Sequence, residues 1–414
     1  MGNDMALLGR PLTLPNGTVV ANRLFKSAMS EGLATWDNRV TPQLVTLYSR
    51  WARSGAGVLV TGNVMIDGSA LGEPGNVVIE DESDLFKLTE WAAAGTQNNT
   101  QLWVQLNHPG KQAPRGLNKE TVAPSAVPFD KALRGAFATP RELTEAEIQA
   151  LIGRFGRAAS IAKAAGFTGV QIHGAHGYLV SQFLSGHHNQ RTDQWGGNAA
   201  NRRRFVLAVY HEIRRQVGAN FPVSIKLNSA DFQRGGFTQE ESLAVVRALS
   251  EAGIDLIEIS GGNYESPVMT GQTDKSKTST REREAYFLAF AEKARAATLA
   301  PLVVTGGFRT PGGMAAALAS NAVDMVGLAR LLAIEPEAPK RLLAGQQPLF
   351  MVRPIRTGIS FVDKAAMMEV LWYGRQLRRL GNGCAPKPRE SGLKSLFASL
   401  LESGWGTFRT RLRA

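Results

Sequence analysis

Residues 144–173 read TEAEIQALIGRFGRAASIAKAAGFTGVQIH, and this stretch decides the fold. Thr144 is placed to cap a helix, with Glu147 three residues on to complete a capping box. Ile148, Leu151, Ile152 and Phe155 then recur at helical spacing, and Gly166 falls where a C-terminal cap needs a left-handed residue. A short apolar run, Val170–His173, follows at once. A long helix leading directly into a short buried strand is half of a βαβ unit, and the same alternation runs along most of the chain.

The short runs are Leu24–Ser27, Val58–Gly62, Leu102–Gln105, Val170–His173, Val223–Leu227, Leu256–Ser260, Leu302–Thr305 and Met325–Ala329. Each is followed by a segment that reads as helix, examples being Pro42–Ser54, Thr144–Ala165, Asn201–Val217, Thr238–Ala252 and Arg283–Ala296. Eight such units predict an α/β fold, a (β/α)8 TIM barrel. Ahead of the first run, Leu12–Leu14 and Val19–Val20 flank Pro15-Asn16-Gly17, which predicts an N-terminal β-hairpin closing the bottom of the barrel. The long connections 106–143 and 261–282 are expected at the face that carries chemistry.

The barrel pattern stops near residue 340, dividing the chain into a barrel, 1–340, and a C-terminal extension, 341–414. Charge follows the same division. The 414 residues hold 47 Lys+Arg against 35 Asp+Glu, a net of +12. Residues 340–414 alone hold 14 against 4, a net of +10, which leaves the barrel nearly neutral. The excess therefore describes a basic, partly helical tail and does not make the barrel a nucleic-acid binder. Within the tail, Leu393, Leu396, Phe397, Leu400, Leu401, Trp405, Phe408 and Leu412 share one helical face. That face predicts packing on the barrel or on a second copy in a homo-oligomer, ahead of docking on an anionic membrane.

One cysteine, Cys384, excludes an intrachain disulfide and a cluster held by four thiolates. No leader peptide and no apolar run long enough to span a membrane are read, so a cytoplasmic location is expected. No strand is followed by G-x-G-x-x-G, which argues against a dinucleotide-binding βαβ unit.

A barrel concentrates function at the C-terminal ends of its strands. There the chain places Ala28-Met29-Ser30, Gly62, Gln105, His173, Lys226, Ser260, Gly306-Gly307 and Ala329-Arg330. Glycines beside a cation suit phosphate. A carboxamide and a lysine suit the imide edge of a flavin and the negative charge it gathers on reduction. His173 and His176 lack a third ligand at metal spacing, so no metal is expected, and two imidazole donors aimed at one oxygen account for the pair. Tyr178 is then placed to donate a proton.

These residues resemble a family. His173-Gly-Ala-His176-Gly-Tyr178-Leu-Val-Ser-Gln-Phe-Leu-Ser185, continuing through Asn189-Gln-Arg191-Thr-Asp193 and Gly196-Gly197-Asn198 to Asn201-Arg202, resembles the signature of the Old Yellow Enzymes. So do Asn22-Arg23-Leu-Phe-Lys-Ser27-Ala28-Met29 and Gln105-Leu-Asn-His-Pro-Gly110-Lys111. The resemblance implies tightly bound, non-covalent FMN, with NADH or NADPH as co-substrate and a small electron-poor acceptor such as an enone. It implies that Ala28, Met29, Ser30 and Gly62 line the flavin. Gln105 and Lys226 would hold the pyrimidine edge, and Gly306, Gly307, Ala329 and Arg330 the phosphate. His173 and His176 would bind the acceptor's oxygen, with Tyr178 the proton donor. Apart from the resemblance, Trp36, Tyr264 and the loop 265–282 are expected to shape the substrate pocket.

Lys226 stands where the family usually carries arginine, Ser30 where many members carry Cys or Thr, and Ala329 where glycine is usual. Lys111, for the common arginine, and the group Arg191, Asp193 and Arg202 are expected to be structural. Other readings are oxidative demethylation or isomerisation on the same flavin, a binding protein without turnover, and a tRNA reductase anchored by the tail; the last lacks the cysteine such enzymes use.

Overall fold

The computed structural model describes residues 6–131, 133–262, 287–358 and 367–398. All eight expected strands form: β1 (Leu24–Lys26), β2 (Val58–Met65), β3 (Gln101–Asn107), β4 (Gly169–Gly174), β5 (Val223–Asn228), β6 (Leu256–Ser260), β7 (Leu302–Thr305) and β8 (Met325–Leu328). They close in sequence order into one parallel barrel, each strand pairing with the next and β8 with β1.

Strand parity divides the apolar residues in two. One set, including Leu59, Leu102, Val104, Val170, Ile172, Ile225 and Ile257, faces the helices. The other set, Phe25, Val58, Val60, Trp103, Leu256, Val303 and Met325, fills the interior together with Leu12, Leu14 and Val20. Those last three belong to the hairpin, Leu12–Thr13 paired antiparallel with Val19–Val20, which plugs the barrel bottom as expected. The filling is tight: a Cβ on Gly169 would lie 2.5 Å from the Trp103 ring, so the indole occupies the space that glycine leaves.

The helices begin where their caps say. Thr144 accepts from the Glu147 N–H while the Glu147 carboxylate accepts from the Thr144 N–H, and Thr238 and Glu241 repeat the box at Gln239–Glu251. Gly166 and Gly253 end their helices at φ 92° and 88°. Two boundaries differ from expectation. Asn201–Val217 is broken at Arg203 into Ala199–Arg202 and Arg204–Val217. The helix expected from Arg283 is seen over Leu288–Arg295, its first residues lying outside the described ones.

The connection 106–143 folds back as a short parallel pair, Val122–Ala123 with Arg141–Glu142. Beyond the barrel, the helix Met367–Gly381 packs on Pro42–Arg53 and Arg330–Ile334, burying Trp372, Tyr373, Leu377 and Leu380 in the same core as the barrel helices. A final helical stretch, 392–398, turns Gly392 and Ser395 inward and leaves Phe397 65% exposed. Over these residues the apolar face is therefore not the packed one, because Gly392 needs the close approach: a Cβ there would lie 2.5 Å from the Arg356 carbonyl oxygen. Leu400, Leu401, Trp405, Phe408 and Leu412 lie outside the described residues. No helix among the described residues is long and apolar enough to cross a membrane.

Candidate active site

Above the apolar filling, the inward positions turn polar and join hands. Gln105 Nε2 donates to Gln171 Oε1 at 2.8 Å, and Gln171 Nε2 donates to Glu258 Oε2 at 2.9 Å. Thr305 Oγ1 donates to Glu258 Oε1 at 2.7 Å, and Ser27 Oγ lies 2.7 Å from Thr305 Oγ1, whose own proton is already committed. Lys226 Nζ lies 3.1 Å from Glu258 Oε1. One buried carboxylate thus collects an ammonium, an amide and a hydroxyl, and the chain of bonds links five of the eight strands and the residue that follows β1. Gln105 and Lys226 were singled out from the sequence; Gln171, Glu258 and Thr305 were not. Their signal was a polar residue at an inward position of an otherwise apolar strand.

One layer higher stand the two histidines and the tyrosine. His173 ends β4, its ring centroid 5.3 Å from that of His176 and 4.7 Å from that of Tyr178. His176 adopts φ 62°, a left-handed conformation that a non-glycine residue holds only when its surroundings impose it. They do: its N–H donates to Asn228 Oδ1, its Nε2 is hydrogen-bonded to Ser260 Oγ at 2.8 Å, and its carbonyl accepts from Gln112 Nε2. Burial pushes both imidazoles well below the ordinary histidine range, helped at His173 by His176 and then Lys226, and at His176 by Lys226. Both are therefore neutral at pH 7, each with one N–H to offer. Tyr178 is nearly buried and stands at the N-terminal boundary of the helix Leu179–Leu184, its hydroxyl not spent on a cap bond.

At the β1–β2 edge, Ala28, Met29 and Ser30 are half-buried beside Gly62. A Cβ on Gly62 would lie 2.7 Å from the Met29 carbonyl oxygen and 2.9 Å from Glu31 Oε2, so only glycine fits. The Gly62 N–H is shared between Glu31 Oε1 and Tyr48 Oη, each at 3.2 Å. Ser30 Oγ donates to Glu73 Oε1 at 2.5 Å. Burial raises the pKa of both Glu31 and Glu73. Beneath them Lys26, wholly buried, donates to the Val60 carbonyl at 2.6 Å and stands 4.3 Å over the Trp51 ring. Burial lowers its pKa to about 8. Neither acid nor this lysine was anticipated.

On the other side of β1, β7 runs into Gly306 and Gly307, at φ 110° and 97°, and β8, which pairs with β1, into Ala329 and Arg330. Consecutive left-handed glycines turn backbone amides to one side. Arg330 Nη1 donates to Glu369 Oε2 at 2.8 Å, a partner from the extension.

The remaining expected residues divide. Trp36 is 75% exposed and is not gathered into the cluster. Tyr264 and the loop 265–282 lie outside the described residues. Arg191 braces the loop as expected, paired with Asp193 at 2.6 Å and donating to the Leu143 carbonyl, but Arg202 turns away to pair with Glu241. Lys111 is buried against His188 and the Phe129 ring. No group of three metal-ligating side chains occurs among the described residues.

The donor set fits FMN. A carboxamide and an ammonium at the centre suit an imide edge, and paired left-handed glycines with a guanidinium suit a phosphate. The comparisons with known proteins point the same way. Residues 8–348 match the model of the NADH:flavin oxidoreductase / NADH oxidase family. An NADH-dependent flavin oxidoreductase (iliE) of a Neonectria species is 37% identical over 355 residues, which are 80% of this chain and 46% of that one, so the chain spans under half of that relative. A second NADH-dependent flavin oxidoreductase (iccE), from Talaromyces variabilis, is 36% identical over 407 residues, covering 90% of this chain and 98% of the relative. Among solved structures, the Old Yellow Enzyme homologue of Zymomonas mobilis shares the fold with a TM-score of 0.71, at 24% identity over 84% of this chain and 94% of its own.

Proposed function

We propose, from the premise that the chain belongs to the NADH:flavin oxidoreductase / NADH oxidase family, that it is an FMN-dependent oxidoreductase carrying hydride from NAD(P)H to a small, electron-poor alkene such as an enone. When bound, FMN supplies a hydride acceptor and donor at N5. Gln105 and Lys226 hold its pyrimidine edge, where the ammonium compensates negative charge. Ala28, Met29, Ser30 and Gly62 line its face. Gly306, Gly307, Ala329 and Arg330 bind its phosphate.

The observation that carries this reading is the placement of His173, His176 and Tyr178 together over the polar ring. Two neutral imidazoles donate to the acceptor's activating oxygen, and those bonds strengthen as charge builds there, which favours the transition state over the ground state. Ser260 and Asn228 keep His176 in its left-handed conformation and so aim its ring. Tyr178 delivers the proton to the carbon beside the activating group.

The test is the Tyr178→Phe protein under nitrogen. Reduction of cyclohexenone should fall about 10²-fold or more, while bleaching of the bound flavin by NADH or NADPH stays within about twofold. Cyclohexenone reduction at the wild-type rate removes the proton-donor role. Purified protein without a flavin absorbance spectrum removes the whole reading.

A further inference from the structure

The helix Met367–Gly381 lies beyond the residues that match the family model, yet it reaches the end of β8. Its Glu369 accepts from Arg330 Nη1 at 2.8 Å, in a pair whose side chains are 11% and 31% exposed. Glu369 does not drift on a loose segment. The backbone N–H of Ile355 also donates to its carboxylate, and the helix is anchored by buried Trp372, whose Nε1 donates to the Glu390 carbonyl at 3.0 Å, and by Leu377 and Leu380.

An arginine side chain has four freely rotating bonds, and its planar fork recognises phosphate only in one orientation. A charge-assisted bond from a rigid helix removes that freedom beforehand, which is how partners behind a ligand-binding group raise its affinity. We propose that Glu369 is a positioning residue for cofactor binding: it orients the Arg330 guanidinium toward the phosphate of FMN, so that the C-terminal extension completes the phosphate site of the barrel. This rests on the assignment of Arg330 to phosphate made above. The carboxylate repels a phosphate, but the guanidinium it holds carries the charge that attracts one.

The experiment titrates the full-length apoprotein with FMN and with riboflavin, which lacks the phosphate, reading the quenching of flavin fluorescence. Wild type prefers FMN. Glu369→Ala weakens FMN by about tenfold, ~1.4 kcal/mol, and leaves riboflavin within about twofold. Glu369→Gln, whose amide oxygen still accepts from Nη1, keeps most of the preference. An unchanged or larger FMN preference in Glu369→Ala overturns the proposal, as does equal loss of both flavins, which marks an effect on the fold. Glu369→Gln behaving as Glu369→Ala overturns orientation through that hydrogen bond. A wild-type protein that binds both flavins equally removes the phosphate assignment of Arg330 itself, and the proposal with it.

Discussion

Glu258→Gln replaces a wholly buried carboxylate by its nearest isostere. In the native ring the carboxylate accepts from Gln171 at 2.9 Å and from Thr305 at 2.7 Å, and faces Lys226 at 3.1 Å. An amide keeps one acceptor atom and puts a donor where the other stood, so one of these donors meets a donor. The Lys226 ammonium, nearly buried, loses its counter-charge. Removing one partner of a buried pair costs about 3–5 kcal/mol, a large part of a native stability of about 5–15 kcal/mol. With an unfolding entropy of about 2.1 cal/mol/K per residue over 414 residues, the melting temperature falls by about 3–6 °C. Urea and thermal unfolding of the apoprotein at pH 7, followed by circular dichroism, measure both. The double variant Lys226→Met with Glu258→Gln removes the stranded charge. It is expected to be less destabilised than the two single variants combined, by a coupling of about 0.5–3 kcal/mol. A single variant within about 1 kcal/mol of wild type, or strict additivity in the cycle, would show that the pair is not an ion pair in a dry interior.

Acid should destabilise the protein through its neutral histidines. His108 accepts from the Gly110 N–H through Nδ1, and burial lowers its pKa from 6.5 to about 4. The unfolded chain takes the proton first, so the stability is present above pH 6.5 and lost as pH falls through about 4, roughly 3 kcal/mol in all. His173, His176 and His188 are depressed by burial and act with the same sign, whereas Glu31, Glu73 and Asp231, raised by burial, oppose it. His108→Gln should flatten the dependence of the urea midpoint on pH between about 6.5 and 4; an unaltered slope refutes the assignment. Trp372→Ala, at a side chain 1% exposed in the shared core, should cost about 3–5 kcal/mol by the same urea assay, and a loss under about 1 kcal/mol would mean that the extension only rests on the barrel.

The barrel was legible because its information is local. Each strand is a short apolar run, the helices Glu145–Ala164 and Gln239–Glu251 open on caps at Thr144 and Thr238, and the hairpin turn is written in Pro15-Asn16-Gly17. The polar ring was only half legible because it depends on register. Gln105 stands opposite Gln171 and Lys226 opposite Glu258 only once β3 is aligned with β4 and β5 with β6. A single residue of slip would turn one of each pair toward the helices. Gln105 and Lys226 were found because they lie at or next to the ends of their apolar runs; Gln171 and Glu258 lie inside theirs, where only parity marks them.

Charge in the extension was hard to read for a different reason. A net charge sums over residues and discards which of them are buried. The described acids of the extension, Glu369 and Glu390, are both buried, and each faces an arginine: Arg330 of the barrel at 2.8 Å and Arg375 at 3.3 Å. The carboxylates are thus spent inside, where a buried charge needs a partner, and the unmatched cations are left at the surface. The basic excess is thus in part what remains once these acids are spent, Glu390 inside the extension itself and Glu369 against the barrel, at the very arginine assigned to the cofactor.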